Sequence, residues 1–380
     1  MRPLLRTLLR RIRRALTHDK PLISVSISKE NLLHNLRAYQ EQYPAQKIAP
    51  VLKSNAYGHG LTVIASLLDT EDVAFFMVDS LYEARVLRRA GIKSRIVVMG
   101  YVRPESIARS SLKDTDYAVT DIEQLRSLSE TVHKPVRIHL KLDTGMHRQG
   151  ILPGDLEEAM ALIQKNPRLS VVGVATHLAD ADNADTSFTE TQLSLWKESL
   201  VQLEAAFPSI TYRHASATKG ARFSESYPMN ALRIGMGLYG YDASFAADNL
   251  KLVLSMRSFI TSIREIPKGD AVGYNASFTT ERRSRIATVP AGYYEGVDRA
   301  LSNVGSLQVN GAPAPIAGRV SMNMVSLDVT DVEAARGDVV TLISRNPEDP
   351  NSVRSMALLA GSTPYVLLTH IPTHLYRVVE

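Results

Sequence analysis

The chain has no cysteine in its 380 residues, which excludes disulfides, thiolate metal sites and a thiol nucleophile and leaves the redox compartment open. No stretch approaches the roughly 18–20 uninterrupted apolar residues of a membrane-spanning helix. A secretory leader would need a longer apolar run near the start and a small-residue cleavage site; neither is present, and a cytoplasmic location is expected. Neither GxGxxG nor GxxxxGK followed by Ser or Thr occurs, so the common glycine-rich phosphate loops are missing as well. Net positive charge is missing once the first residues are set aside. Six arginines (Arg2, Arg6, Arg10, Arg11, Arg13, Arg14) lie in the first fourteen positions, and removing those six takes the formal charge from +5 to −1. A nucleic-acid partner is therefore not expected. In residues 1–20 the leucines recur at helical spacing opposite the arginines, the pattern of a short basic amphipathic helix. Contact with a membrane surface and an unstructured extension both remain open for it.

What is present is a globular composition, 44% hydrophobic and 22% charged, at a length that suggests two domains or one large barrel with an appendage. From residue 48 onward eight short apolar runs alternate with helix-periodic stretches: Ile48–Lys53, Val73–Asp79, Arg95–Gly100, Asp116–Thr120, Val136–Asp143, Leu169–His177, Ile210–Ser216 and Leu232–Tyr239. The count matches a (β/α)8 barrel, with an open doubly wound sheet as the competitor. After about residue 250 short strand-like runs separated by Pro, Gly and Asn turns take over, with one helical stretch near Val353–Ala360. The expected organisation is a barrel over 28–250 and a β-rich domain over 251–380, to which Leu22–Ile27 could add a strand. Ser28 is the expected N-cap of the first barrel helix.

In a barrel, strand C-terminal ends face the active site. Lys53, Lys141, His177 and Arg233 fall at such ends, and Arg148 lies shortly after one. A lysine closing a buried strand sits where desolvation favours its neutral, nucleophilic form, although most lysines are simply solvated. His177 with Asp180 and Asp182 could form a weak metal constellation or a structural histidine. Arg233 could be an ordinary ion pair.

Two blocks decide between these readings. Val51-Leu52-Lys53-Ser54-Asn55-Ala56-Tyr57-Gly58-His59-Gly60 resembles the cofactor-binding motif of the alanine racemase family, and Lys141-Leu142-Asp143-Thr144-Gly145-Met146-His147-Arg148-Gln149-Gly150 resembles its second strong block. The resemblance spans about residues 22–380. It implies pyridoxal 5′-phosphate held by Lys53 as a Schiff base and no metal. Arg148 would contact the phenolic oxygen and the substrate, oriented by Lys141, a carbamylated lysine in many members. His177 would stack on the pyridine ring and Arg233 would hydrogen-bond its nitrogen. For the phosphate the matching positions are Tyr57, Thr218, Gly235, Met236 and Tyr376. Tyr274 would be the second catalytic base, reaching into the site of a partner subunit, and the Met322 backbone would bind the substrate carboxylate from the neighbouring chain. A homodimer with shared sites, L- and D-alanine as substrates and supply of D-alanine for peptidoglycan follow from the resemblance. The chain departs from the family pattern at Asn323, where an aspartate usually follows the methionine, and at Thr218, where serine is usual. A broader amino-acid racemase is the competing enzyme reading; the lack of cysteine argues against a decarboxylase of similar architecture. A non-catalytic cofactor-binding protein is the reading from another class.

Overall fold

The computed structural model describes residues 21–242 and 249–380; the basic tail, and the amphipathic helix expected in it, lie outside the described residues. The first strand, β1 (Ser24–Ile27), is followed by a helix over Lys29–Gln42. Ser28 caps that helix as expected, its hydroxyl accepting the Asn31 amide at 3.2 Å, a contact of about 1 kcal/mol. The helix buries Leu32, Leu36 and Tyr39 on one face.

Eight strands then follow: β2 (Lys47–Pro50), β3 (Phe76–Val78), β4 (Ile96–Val98), β5 (Thr115–Val119), β6 (Val136–Lys141), β7 (Leu169–Ala175), β8 (Tyr212–His214) and β9 (Ala231–Ile234). β3 to β8 form one parallel sheet in chain order, and β2 pairs in parallel with β9. Parallel bridges from Val51 to Met77 and from Ala217 to Arg233 join the two pieces into a ring. Both faces of these strands are covered, which is why they read as continuous apolar runs. The helices between them carry their own punctuation. Ser80 and Glu83 form a capping box at the start of Leu81–Ala90, and Gly91 closes it at φ 89°.

The expected strand ends all fall earlier, two of them by three residues or more. β2 stops at Pro50 and β9 at Ile234, so Lys53 is not the last residue of a strand. It opens a tight turn in which Ser54, Asn55, Ala56 and Tyr57 all have positive φ, between 50° and 58°. A left-handed backbone costs about 1–2 kcal/mol per residue, so the turn needs outside support. The Ser54 amide donates to Glu83 Oε1 at 2.7 Å, the Leu61 amide to Asn55 Oδ1 at 2.9 Å, and Arg377 Nη2 to the Gly58 carbonyl at 2.7 Å. Gly58 has no alternative, since a Cβ there would meet the Leu368 carbonyl oxygen at 1.9 Å.

The C-terminal part is β-rich. β10 (Leu254–Phe259) and β11 (Ser262–Ile266) divide what reads as one long strand, because they belong to different sheets. β12 (Ala271–Val272) and β13 (Phe278–Thr279) form a small hairpin, and β14 (Ser284–Val289) lies between β11 and a later strand. β15 (Ser306–Val309), β16 (Ala312–Pro315), β17 (Val325–Asp328), β18 (Val339–Ile343) and β19 (Tyr376–Val379) complete it. β1 sits between β10 and β19 in this six-stranded sheet, leaving the N-terminal strand on the far side of the barrel boundary. Two helices are present here rather than one, Val353–Leu359 and Pro364–Thr369. The second begins with Pro364 in its first turn, where the missing N–H costs nothing. One apolar cluster runs from Ile48 and Phe76 in the barrel to Leu327 and Leu368 beyond it.

Candidate active site

At the C-terminal end of the barrel strands lies a cavity of about 290 Å³, near the lower end of the roughly 300–1,000 Å³ usual for small-molecule sites. Lys53, Tyr57, His177, Thr218, Arg233, Gly235 and Met236 line it. These seven residues come from four separate stretches of the sequence, and the barrel brings them together. Lys53 is half-buried at the start of its left-handed turn.

The floor is built around Arg233, which is only 3% exposed. Its guanidinium donates to the backbone carbonyls of Thr176 at 2.9 Å, Ala215 at 3.0 Å and His214. It also faces two ring nitrogens, His177 Nδ1 and His214 Nδ1, each at 3.3 Å. Burial pulls the Arg233 pKa down to about 10, below the usual arginine range yet well above neutrality, so the group stays a cation and a donor. Burial, followed by the charges of Arg233, Arg148, Lys141 and Lys53, pushes His177 down to about 3. A neutral His177 accepting at Nδ1 carries its proton on Nε2.

Behind the floor runs a relay that sequence reasoning missed. Burial lowers both His214 and His139, so each ring carries one proton. His214 Nδ1 accepts from Arg233, which leaves its Nε2–H to donate to His139 Nδ1 at 2.8 Å. His139 Nε2–H then points to Asp116 Oδ2 at 3.4 Å. Burial disfavours the Asp116 carboxylate, but the bonds from His139 and the nearby Arg137 and Arg95 outweigh it and hold the pKa below its ordinary value. Arg95 Nη1 lies 2.8 Å and Arg137 Nε 3.0 Å from Asp116 Oδ1. A histidine inside an apolar strand was the only signal available. Gly173 leaves room for the relay, since a Cβ there would lie 2.2 Å from His139 Nδ1.

At the opposite end, Thr218 Oγ1 accepts the Gly235 amide at 3.2 Å. A Cβ on Gly235 would come within 2.8 Å of the Tyr57 hydroxyl. Burial raises the Tyr57 phenol, keeping it a neutral donor. Two further residues line this end without having been singled out, Lys219 and Tyr365. Tyr365 belongs to the second C-terminal helix and packs edge-on against Tyr57, with ring centroids 6.1 Å apart.

Lys141 and Arg148 stand outside the lining, though their charges act on His177. Burial and the neighbouring Arg148 and Arg233 bring Lys141 down to about 8, which gives it a substantial neutral fraction near neutrality; its Nζ donates to Gln149 Oε1 at 3.3 Å. Arg148 is exposed. Three more expected residues are not part of the cavity in this chain. Tyr376 lines a neighbouring cleft with Ser54, Gly60 and Arg377, because β19 carries it past the cavity. Tyr274 is 68% exposed and Met322 55% exposed, both in loops of the β-rich part. Those loops meet each other: the Tyr294 amide donates to the Met322 carbonyl at 2.9 Å, and Gly273 lies against Gly318 and Arg319.

Comparison with known proteins gives one family throughout. The family model described as alanine racemase, N-terminal domain, matches residues 27–243, and the one described as alanine racemase, C-terminal domain, matches residues 253–379. The chain is 35% identical over 367 residues to the alanine racemase of Sorangium cellulosum (strain So ce56), covering 92% of this chain and 97% of the relative. It is 32% identical to that of Syntrophobacter fumaroxidans (strain DSM 10017 / MPOB), covering 93% and 96%. Among solved structures it is similar to the alanine racemase from Bacillus anthracis with bound L-Ala-P, at TM-score 0.87 and 28% identity over 95% of this chain and 96% of that one. The alanine racemase from Clostridium difficile 630 gives TM-score 0.88 and 27% identity, with coverage of 95% and 96%.

Proposed function

From the premise that this chain belongs to the alanine racemase family, whose models match nearly all of it, we propose that it interconverts L- and D-alanine by moving one α-proton between two bases. The family is pyridoxal-phosphate dependent, and the cavity suits that group. A lysine amine and a buried guanidinium both line the cavity. Beside them are hydroxyls and a glycine on which a Cβ would press within 2.8 Å of the Tyr57 hydroxyl. When bound, the cofactor acidifies the α-C–H of an amino acid by drawing electrons into its ring.

The observation that carries the reading is Arg233. Held by three carbonyls and two neutral imidazoles, it can offer a ring nitrogen a hydrogen bond without surrendering its proton. That limits how far electrons are withdrawn and confines the chemistry to proton exchange. Lys53 anchors the cofactor and serves as the base on one face, acting on the D enantiomer. Tyr274 serves the opposite face and the L enantiomer. Since Tyr274 is exposed and apart from its own cavity, it acts in the cavity of a second copy, with the Met322 loop beside it meeting the substrate carboxylate. The functional unit is thus a homodimer with two shared sites. Arg148 orients the substrate from the rim, and Lys141, with its neutral fraction near pH 8, is able to take up carbon dioxide as a carbamate. We place the enzyme in the cytoplasm, supplying D-alanine for peptidoglycan.

The test is incubation with L-alanine followed by chiral chromatography, with serine and lysine in parallel. The parallel substrates matter because a broader amino-acid racemase is the competing reading, and Tyr376 stands in another cleft rather than in this cavity. Wild-type protein should racemise alanine preferentially, and Lys53→Ala should lose both activity and the visible absorbance of bound cofactor. Racemisation retained in that variant sinks the proposal; comparable rates on all three substrates would point to a broader racemase.

A further inference from the structure

The end of the cavity formed by Thr218, Gly235 and Tyr57 is short of positive charge. Its hydroxyls are neutral donors, and of the other cations that line the cavity, Arg233 is tied to backbone carbonyls and Lys53 comes from the turn after β2. Two carboxylates lie close by: Asp182 lines the cavity, Asp242 is buried behind it, and both act electrostatically on Tyr365, which packs on Tyr57. A dianionic phosphate brought here would meet negative charge unless a cation intervened. Lys219 is that cation. It follows Thr218 at the start of the 3-10 segment Thr218–Glu225 and lines the cavity.

Its placement suits a second ligand. Lys219 Nζ is 3.8 Å from Asp242 Oδ1, and its side chain is 38% exposed whereas that of Asp242 is fully buried. Asp242 is in turn fixed by the Tyr39 hydroxyl, which donates to Oδ2 at 2.5 Å. At 3.8 Å the ion pair is longer than a direct hydrogen bond. An ammonium has three donors, so Asp242 can moor it while donors remain for another anion. We propose that Lys219 is a phosphate-binding residue of this site, supplying a mobile cation, held in place by Asp242, to the phosphate end of the cofactor. The inference rests on the reading of the cavity as a pyridoxal-phosphate site.

Its test compares two ligands that differ only in the phosphate. The full-length protein, freed of cofactor by dialysis, is titrated with pyridoxal phosphate and with pyridoxal, and binding is followed by absorbance. Wild-type protein should prefer the phosphorylated form strongly. Lys219→Met should weaken pyridoxal phosphate about ten-fold, the scale of one charge-assisted contact, leave pyridoxal unchanged, and reduce the salt dependence of binding; Lys219→Arg should restore most of the loss. Equal weakening of both ligands, or none, overturns the role of Lys219 and shows a lysine that only balances Asp242. Failure of the wild-type protein to bind pyridoxal phosphate overturns the underlying reading instead. Should the methionine variant not fold, Lys219→Gln gives the same comparison.

Discussion

The barrel mouth and the loops of the β-rich part are built on opposite plans. At the mouth, Arg233 and His214 are buried, and each polar contact is closed by another. The loop residues Tyr274, Met322 and Tyr294 are each more than half exposed. A binding floor has to be organised in advance, since any reorganisation during reaction adds to the barrier. Groups meant for a neighbouring molecule must stay accessible until it arrives. On the proposed reading, the difference teaches why one chain would hold a cofactor site but only half of a two-base site.

The sharpest way to break that comparison is to separate the two halves genetically. Lys53→Ala and Tyr274→Phe should each lose at least about 10²-fold in kcat, the usual contribution of a general base or more. Mixed after partial denaturation and refolding, the two inactive proteins should recover about a quarter of wild-type activity, because half of randomly paired two-fold dimers would contain one intact site. Recovery measured by the chiral assay supports sharing. Mixtures as inactive as their components would show that Lys53 and Tyr274 act from the same chain, and a Tyr274→Phe protein as active as wild type would show that Tyr274 does not act at all.

The second test exploits where the buried histidines lie. His59, His139, His177 and His214 all belong to the barrel, and burial lowers each of them. For His59 the value falls to about 4. A depressed histidine pKa means that the unfolded chain takes up the proton first. The associated stability is therefore complete above about pH 6.5 and is lost as pH falls through the window down to the folded value. His59 alone accounts for roughly 3 kcal/mol across that window, at 1.36 kcal/mol per pH unit. Urea midpoints should therefore drop from pH 7 to pH 5. Hydrogen exchange at pH 5 should show barrel strands opening before β14 and β17. A flat pH profile, or uniform opening, would remove the distinction between the regions.

How far these regions could be read in the sequence differs for the same reason. The barrel strands are visible because β-branched runs buried on both faces leave a local pattern, and the lysine and arginine at their ends follow from the architecture. The turn after Lys53 leaves no such trace. Of Ser54, Asn55 and Ala56 only asparagine tolerates a left-handed backbone readily, and the conformation is imposed by Glu83 and Arg377 from elsewhere. The relay through His214, His139 and Asp116 is equally silent, since it depends on side chains 75 and 23 residues apart. Tyr365 was hidden by its short helix, whose apolar Val-Leu-Leu reads as well for a strand. The role proposed for Tyr274 rests on family resemblance alone, because an exposed tyrosine has no periodicity to announce it.

The smallest effect concerns Asn323, where the chain departs from the family pattern. Its Nδ2 donates to Glu295 Oε1 at 2.7 Å, while the other oxygen of Glu295, itself only 8% exposed, accepts the Gly292 amide at 2.8 Å. An amide at 323 thus serves as a donor to a buried carboxylate, and the lost charge is compensated locally rather than exposed at an entrance. Asn323→Asp would set two carboxylates against each other, which favours protonation of one of them. The expected cost is about 1–2 kcal/mol at pH 7, measured as a lowered urea midpoint and relieved as pH falls toward 5. That trend opposes the one set by the barrel histidines, so difference profiles between variant and wild type isolate it. A variant as stable as wild type at pH 7 would mean that the Glu295 contact is not what holds Gly292 and the Met322 loop together.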